Sequence, residues 1–165
     1  AGETFGDQML SSLPFWKDIE EGIRNRKLGR LELSSRLLER ACGRRGKDPS
    51  VWAMYWLALV ESERGRWGVS KEILDRALGL DSRHPLLLML RARYHLEKEK
   101  LNLARRDLEQ VMTESPRYVE ALELMIRVYH RLGEEEAALR SLQRLGKMVP
   151  DYQQLSNLRR LLNQE

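Results

Sequence analysis

A chain of 165 residues, 42% hydrophobic and 33% charged, is long enough for a continuous core and too apolar to be disordered. No apolar run reaches the roughly 18–20 residues that cross a bilayer; VWAMYWLALV at 51–60 is half that length and reads as a buried helix. The formal charge of +4 is uneven: residues 24–47 carry nine basic side chains against Glu32 and Glu39, a local +7, and the single cysteine, Cys42, excludes an internal disulfide.

Residues 1–14 contain Phe5, Met9, Leu10 and Leu13, which read either as a short helix ended by Pro14 or as the tail of a preceding repeat. The chain opens AGETFGDQ without an initiator Met and without a secretory h-region. It reads as a mature form or an excised piece of a longer protein, which leaves cytoplasm, periplasm and a membrane anchor elsewhere all open. Arg outnumbers Lys 22 to 7, a hint of a GC-rich bacterial genome.

From residue 15 onward the pattern becomes periodic. A helical stretch is followed by GRLELSSRLLERACGRRG at 29–46, and the apolar run at 51–60 by GRWGVSKEILDRALGLDS at 65–82. The stretch 85–97 is followed by EKLNLARRDLEQVMTESP at 99–116, and 119–132 by GEEEAALRSLQRLGKMVP at 133–150. Aligned on their turn residues, Gly29, Gly65, Glu99 and Gly133 fall 36, 34 and 34 apart. Five residues later stands a small side chain: Ser34, Ser70, Ala104, Ala138. Four further on comes Leu38, Leu74, Leu108 and Leu142, and three beyond that Ala41, Ala77, Val111 and Leu145.

Each unit therefore predicts two helices, the first with apolar residues such as Leu122, Met125, Ile126 and Tyr129 on one stripe, the second with a stripe four and three apart. A turn Gly takes the left-handed conformation that ends the first helix. The small residue lets two backbones approach, and the Leu fills the space between neighbours. Truncating such a Leu to Ala should cost about 2–5 kcal/mol. A fixed period of this size marks a solenoid. The segment QQLSNLRRLLNQE puts Leu155, Leu158 and Leu162 on one face, as a closing helix requires.

These features resemble the tetratricopeptide repeat family. The resemblance covers about 15–48, 51–84, 85–118 and 119–152, with 153–163 as a capping helix. It implies an all-α fold, a right-handed α-solenoid of antiparallel helix pairs. The departures are Asp18 where a large apolar residue is expected, two extra residues around Gly46, Arg91 where a Leu is usual, and Glu99 for the turn Gly. At Arg91 the helix reads as rotated or shifted, with Leu87, Leu90 and Tyr94 inward.

No catalytic, metal or cofactor constellation stands out. His84, His95 and His130 lie far apart without metal-ligand spacing. Cys42 sits on a helical stripe beside Ala41 and reads as a small core residue rather than a nucleophile. GRRGKD at 43–48 has two residues between its glycines and Asp after its Lys, so it is not a phosphate loop. Glu134, Glu135 and Glu136 open a helix, where negative charge suits the dipole.

The resemblance implies that the first helix of each unit lines a concave surface where partner segments lie. Carried over, the inner places are Trp16, Ile19 and Ile23; Trp52, Tyr55 and Leu59; Leu86, Met89 and Arg93; and Glu120, Glu123, Arg127, His130 and Arg131. The Lys and Asn clamp that holds chaperone tails in this family has no counterpart among them. The expectation is a non-catalytic scaffold or adaptor that binds an amphipathic or hydrophobic segment of another protein. By analogy with bacterial members, its setting is envelope, secretion, pilus, exopolysaccharide or cytochrome assembly. The rivals are a chaperone holding an unfolded or exported client, and anionic-polymer or nucleic-acid binding through 24–47, the latter disfavoured because aromatic residues are not interleaved with the charges. That segment suits steering of an acidic protein surface better.

Overall fold

In the computed structural model, residues 5–43 and 50–163 are described, with side chains from residue 15 onward. All regular structure among them is helical. The chain divides into two compact units, Ala1–Ser82 and Arg83–Glu165.

The first unit holds α1 (Phe5–Lys27), α2 (Leu31–Gly43), α3 (Val51–Glu63) and α4 (Trp67–Leu80). Neighbours in sequence pack as neighbours in space, and α1 also touches α3. The small residue at the crossing does more than leave room. Ser34 Oγ donates to the Gly22 carbonyl at 2.7 Å, and Ser70 Oγ to the Ala58 carbonyl at 2.8 Å, both buried. A Cβ on Gly22 would lie 2.7 Å from Leu38 Cγ, so glycine is what allows α1 and α2 to close there. Leu38 and Leu74 are fully buried behind these contacts.

The second unit holds α5 (Pro85–Glu97), α6 (Leu101–Glu114), α7 (Val119–Leu132), α8 (Glu135–Met148) and the short α9 (Leu155–Leu161). Pro85 occupies the first turn of α5, where its missing N–H would have no helical partner. Leu122 and Ile126 of α7, Leu142 and Leu145 of α8, and Leu155, Leu158 and Leu162 at the end of the chain form one apolar cluster.

All four turn positions are left-handed: φ is 73° at Gly29, 76° at Gly65 and 75° at Gly133, and Glu99 adopts 55° despite its side chain. One expectation changes. The helix does not stop at Pro14 but runs through it from Phe5 to Lys27; a proline withholds one backbone donor, and the turns on either side still close. Asp18, which stands where a large apolar residue is expected, is 3% exposed and takes both prongs of the Arg40 guanidinium, with Arg40 Nε at 2.9 Å from Oδ2. In α5, Leu87, Leu90 and Tyr94 are buried, as the shifted reading anticipated, and Arg91 reaches Asp107 of α6.

Candidate functional site

In the first unit α1 and α3 both carry aromatic side chains, and those of α3 share one face. Trp52 and Tyr55 stack with ring centroids 5.8 Å apart, and Trp56 meets both edge-on at 5.5 and 5.3 Å. These positions, i, i+3 and i+4 on one helix, share a face. Phe15 and Ile19 of α1 pack with Ala53 of α3 and with Trp56 beneath it. Arg26 ties the two helices together, donating to both Glu63 oxygens from Nε at 3.0 and 2.9 Å while its guanidinium carbon lies 5.7 Å from the centre of the Trp56 ring. Trp16 and Trp52 are left 46% and 38% exposed, unusual for the largest apolar side chains. Trp56 Nε1 is buried with no hydrogen-bond partner among the described residues.

The other inner places fare differently. Ile23 and Tyr55 are half-buried, and Ile19 is core at 1% exposure. Leu59, placed in the groove by the family pattern, is only 9% exposed, because α3 is closed on all sides from Leu57 to Ser62. Met89, at 5%, belongs to the fully buried turn Leu87–Leu90, while Leu86 is half-buried and Arg93 exposed.

The charged places of α7 are engaged internally. Arg127 donates to Glu123 at 2.9 Å, and Glu123 also accepts from the Tyr152 hydroxyl at 2.6 Å. His130 Nδ1 lies 2.9 Å from Glu135, and Arg131 pairs with Glu99. Glu120 is exposed.

Within the basic segment, Arg26, Arg36 and Arg40 face Glu63, Glu32 and Asp18. Arg44, Arg45 and Lys47 lie outside the described residues. Burial pushes the Cys42 thiol up to about 11, with Arg76 only partly opposing it, so the thiolate that nucleophilic chemistry needs is scarce at neutral pH. Among the described residues no group of three or more His, Cys, Asp and Glu could hold a metal ion.

Two features escaped the sequence reading. The Arg26–Trp56–Glu63 contact joins residues 37 apart in the chain, and local periodicity carries no sign of it. A stripe of Arg140, Arg144 and Lys147 at i, i+4 and i+7 on α8 was legible as spacing, but the spacing gave no sign of the Arg117 segment beside it.

Comparison with known proteins bears on the fold. Residues 95–162 match the family model described as the tetratricopeptide repeat. No curated protein matches the chain in sequence. A tetratricopeptide repeat protein from Parabacteroides merdae superimposes with a TM-score of 0.78 at 17% identity over 91% of this chain, and this chain spans only 59% of that one. Pseudomonas aeruginosa pilF gives 0.81 at 18% identity, covering 93% of this chain and 69% of that one. YrrB, described as a repeat protein of this type with an unusual peptide-binding site, gives 0.72 at 16% identity over 84% of this chain and 71% of that one.

Proposed function

We propose that this chain, a tetratricopeptide-repeat protein by the sequence of residues 95–162 and by its fold, is a non-catalytic interaction module that grips a segment of another protein against the aromatic side chains of α1 and α3. The helix pairs are read as four repeats over 15–152 with a capping helix after them. The observation that carries the proposal is the exposure of Trp16 and Trp52 on two touching helices. Tryptophan is enriched where interfaces concentrate their binding energy, and a face already stacked through Tyr55 and Trp56 needs little ordering when a partner arrives. The structural likeness to YrrB, with its peptide-binding site, supports a peptide as the partner. The setting in a bacterial envelope or secretion system rests on analogy with bacterial proteins of this repeat type.

Panning a random peptide library on the immobilised chain tests the reading. Peptides rich in apolar residues should be selected, and Trp52→Ala or Trp16→Ala should weaken them by about 2 kcal/mol, roughly thirtyfold. Melting should stay cooperative in both variants. Selected peptides that bind both variants as tightly as the parent chain would remove the aromatic face from the proposal.

A further inference from the structure

Four cations converge on one surface recess of the second unit, about 570 Å³ in volume, lined by Arg117, Arg140, Gln143, Arg144, Lys147 and Met148. Three of them, Arg140, Arg144 and Lys147, form a single stripe on the outer side of α8, whose opposite side is the buried Ala138, Leu142 and Leu145. Arg117 comes from the segment between α6 and α7. That segment is fastened to α8, since Arg144 Nη2 donates to the Pro116 carbonyl at 2.5 Å, leaving the rest of its guanidinium fork for another acceptor. Glu136 lies 3.5 Å from Arg140 across a highly exposed pair that solvent screens almost completely, and Glu109 lines a separate recess that Arg144 also borders. A favourable helix dipole accounts for Lys147 in the last turn of α8. It does not account for Arg140 in mid-helix, or for an arginine delivered from a different segment.

We infer that this recess is a docking site for an acidic peptide segment whose carboxylates fall on alternate residues. Arg140 and Arg144 are four residues apart, about 6 Å along the helix axis, and same-side residues of an extended strand repeat at about 6.6–6.8 Å. The spacing matches two or three carboxylates in a row, each met by a guanidinium able to bind both oxygens. A second recess of about 290 Å³ shares Gln143 and Lys147 with the first and adds Leu139, Leu142 and Gly146, with Arg159 at its margin. It continues the track with an apolar seat for a side chain flanking the acidic run. The site uses no residue of the aromatic face, so it stands or falls separately from the proposed function.

The test uses the full chain and a fluorescent decapeptide with Glu at alternate positions and one terminal Leu, followed by anisotropy at low ionic strength. The Glu peptide should bind and its Gln counterpart should not. Arg140→Glu and Lys147→Glu should each weaken binding about tenfold, as charge reversal at a steering contact does, whereas Trp16→Ala and Trp52→Ala leave it unchanged. Arg140→Gln and Lys147→Gln, both at exposed positions, repeat the comparison if a reversal perturbs the helix. Equal affinity in all four recess variants would overturn the inference. So would displacement of the peptide by tripolyphosphate at concentrations below the peptide's own dissociation constant, which would make this a site for small anions.

Discussion

Arg91 and Asp107 join α5 to α6 through two parallel bonds, Nε to Oδ2 at 2.9 Å and Nη2 to Oδ1 at 2.7 Å, at the places where the preceding helix pair puts Leu57 and Ile73 in one apolar cluster. The two halves of the pair are unequally buried. Asp107 is nearly closed to solvent, with His95 Nε2 at 3.7 Å, while Arg91 keeps part of its side chain in water. Removing the arginine strands a buried carboxylate; removing the aspartate leaves a cation that can turn outward. Arg91→Leu should therefore cost about 2–4 kcal/mol and Asp107→Ile less, whereas the double change should recover most or all of the loss. Urea unfolding of the three variants measures the ordering, and additive losses in the double variant would contradict it.

Among the four repeat turns, Glu99 is the one that takes a left-handed φ without being glycine. A side chain there costs about 1–2 kcal/mol, and its exposed pairing with Arg131 returns little. Glu99→Gly should raise stability by about 0.5–1 kcal/mol even after glycine's greater freedom in the unfolded chain is counted. Gly65→Ala, at φ 76°, should lower it by a similar amount. Chemical denaturation of both variants settles the comparison, and a less stable Glu99→Gly would mean that the Arg131 contact outweighs the backbone.

The contrast between these two sites shows how far the sequence could be read. The turn at Glu99 was legible because it shares a register with Gly29, Gly65 and Gly133, and the buried Leu38, Leu74, Leu108 and Leu142 were legible for the same reason: helical packing repeats at short range. Arg91 was visible as a departure, but its partner sixteen residues on was not, because nothing local says which acidic residue a buried arginine will reach. Asp18 with Arg40, and Arg26 with Glu63 and Trp56, are further cases. The inner faces of α3 and α5 were hardest. α3 is apolar nearly all round and α5 opens with the unbroken apolar run Leu86–Leu90, so periodicity could not tell that Trp52 stays 38% exposed while Leu59 and Met89 close to 9% and 5%. The recess on α8 needed a segment from elsewhere in the chain, Arg117, before its stripe of cations became a site.

Glu61 is fully buried and gathers Ser35 at 2.6 Å, Arg64 at 2.8 Å and Arg66 at 2.5 Å, joining α2 to α3 and to the turn beyond it. Desolvation alone would raise its pKa; the bonds from Arg66, Ser35 and Arg64 outweigh that and hold the carboxyl below its ordinary value. With the folded value below the unfolded one, the contribution is complete above about pH 4.3. It fades as pH falls through the folded value. Glu61→Gln should be less stable than the parent at neutral pH and less sensitive to acid. Thermal melts at neutral pH and at about pH 3 should show the gap between the two narrowing. A constant gap would mean that the carboxylate's charge is not what the site stabilises.

Tyr152 gives the opposite sign at the other end of the scale. Loss of solvation first, and then its hydrogen bond to Glu123, push the phenol up to about 12. A raised value means that the folded state favours the protonated ring, so the contribution is intact below about pH 10 and disappears as pH climbs towards the folded value. Spectroscopy can isolate this ring among the chain's five tyrosines. At about pH 11, with the fold intact, the parent chain and Tyr152→Phe should show nearly equal phenolate absorbance, because Tyr152 is still largely protonated. Unfolding both in guanidinium at the same pH should open a difference of one tyrosine in five. If that difference is already present in the folded proteins, the hydroxyl ionises normally and the bond to Glu123 does not hold its proton.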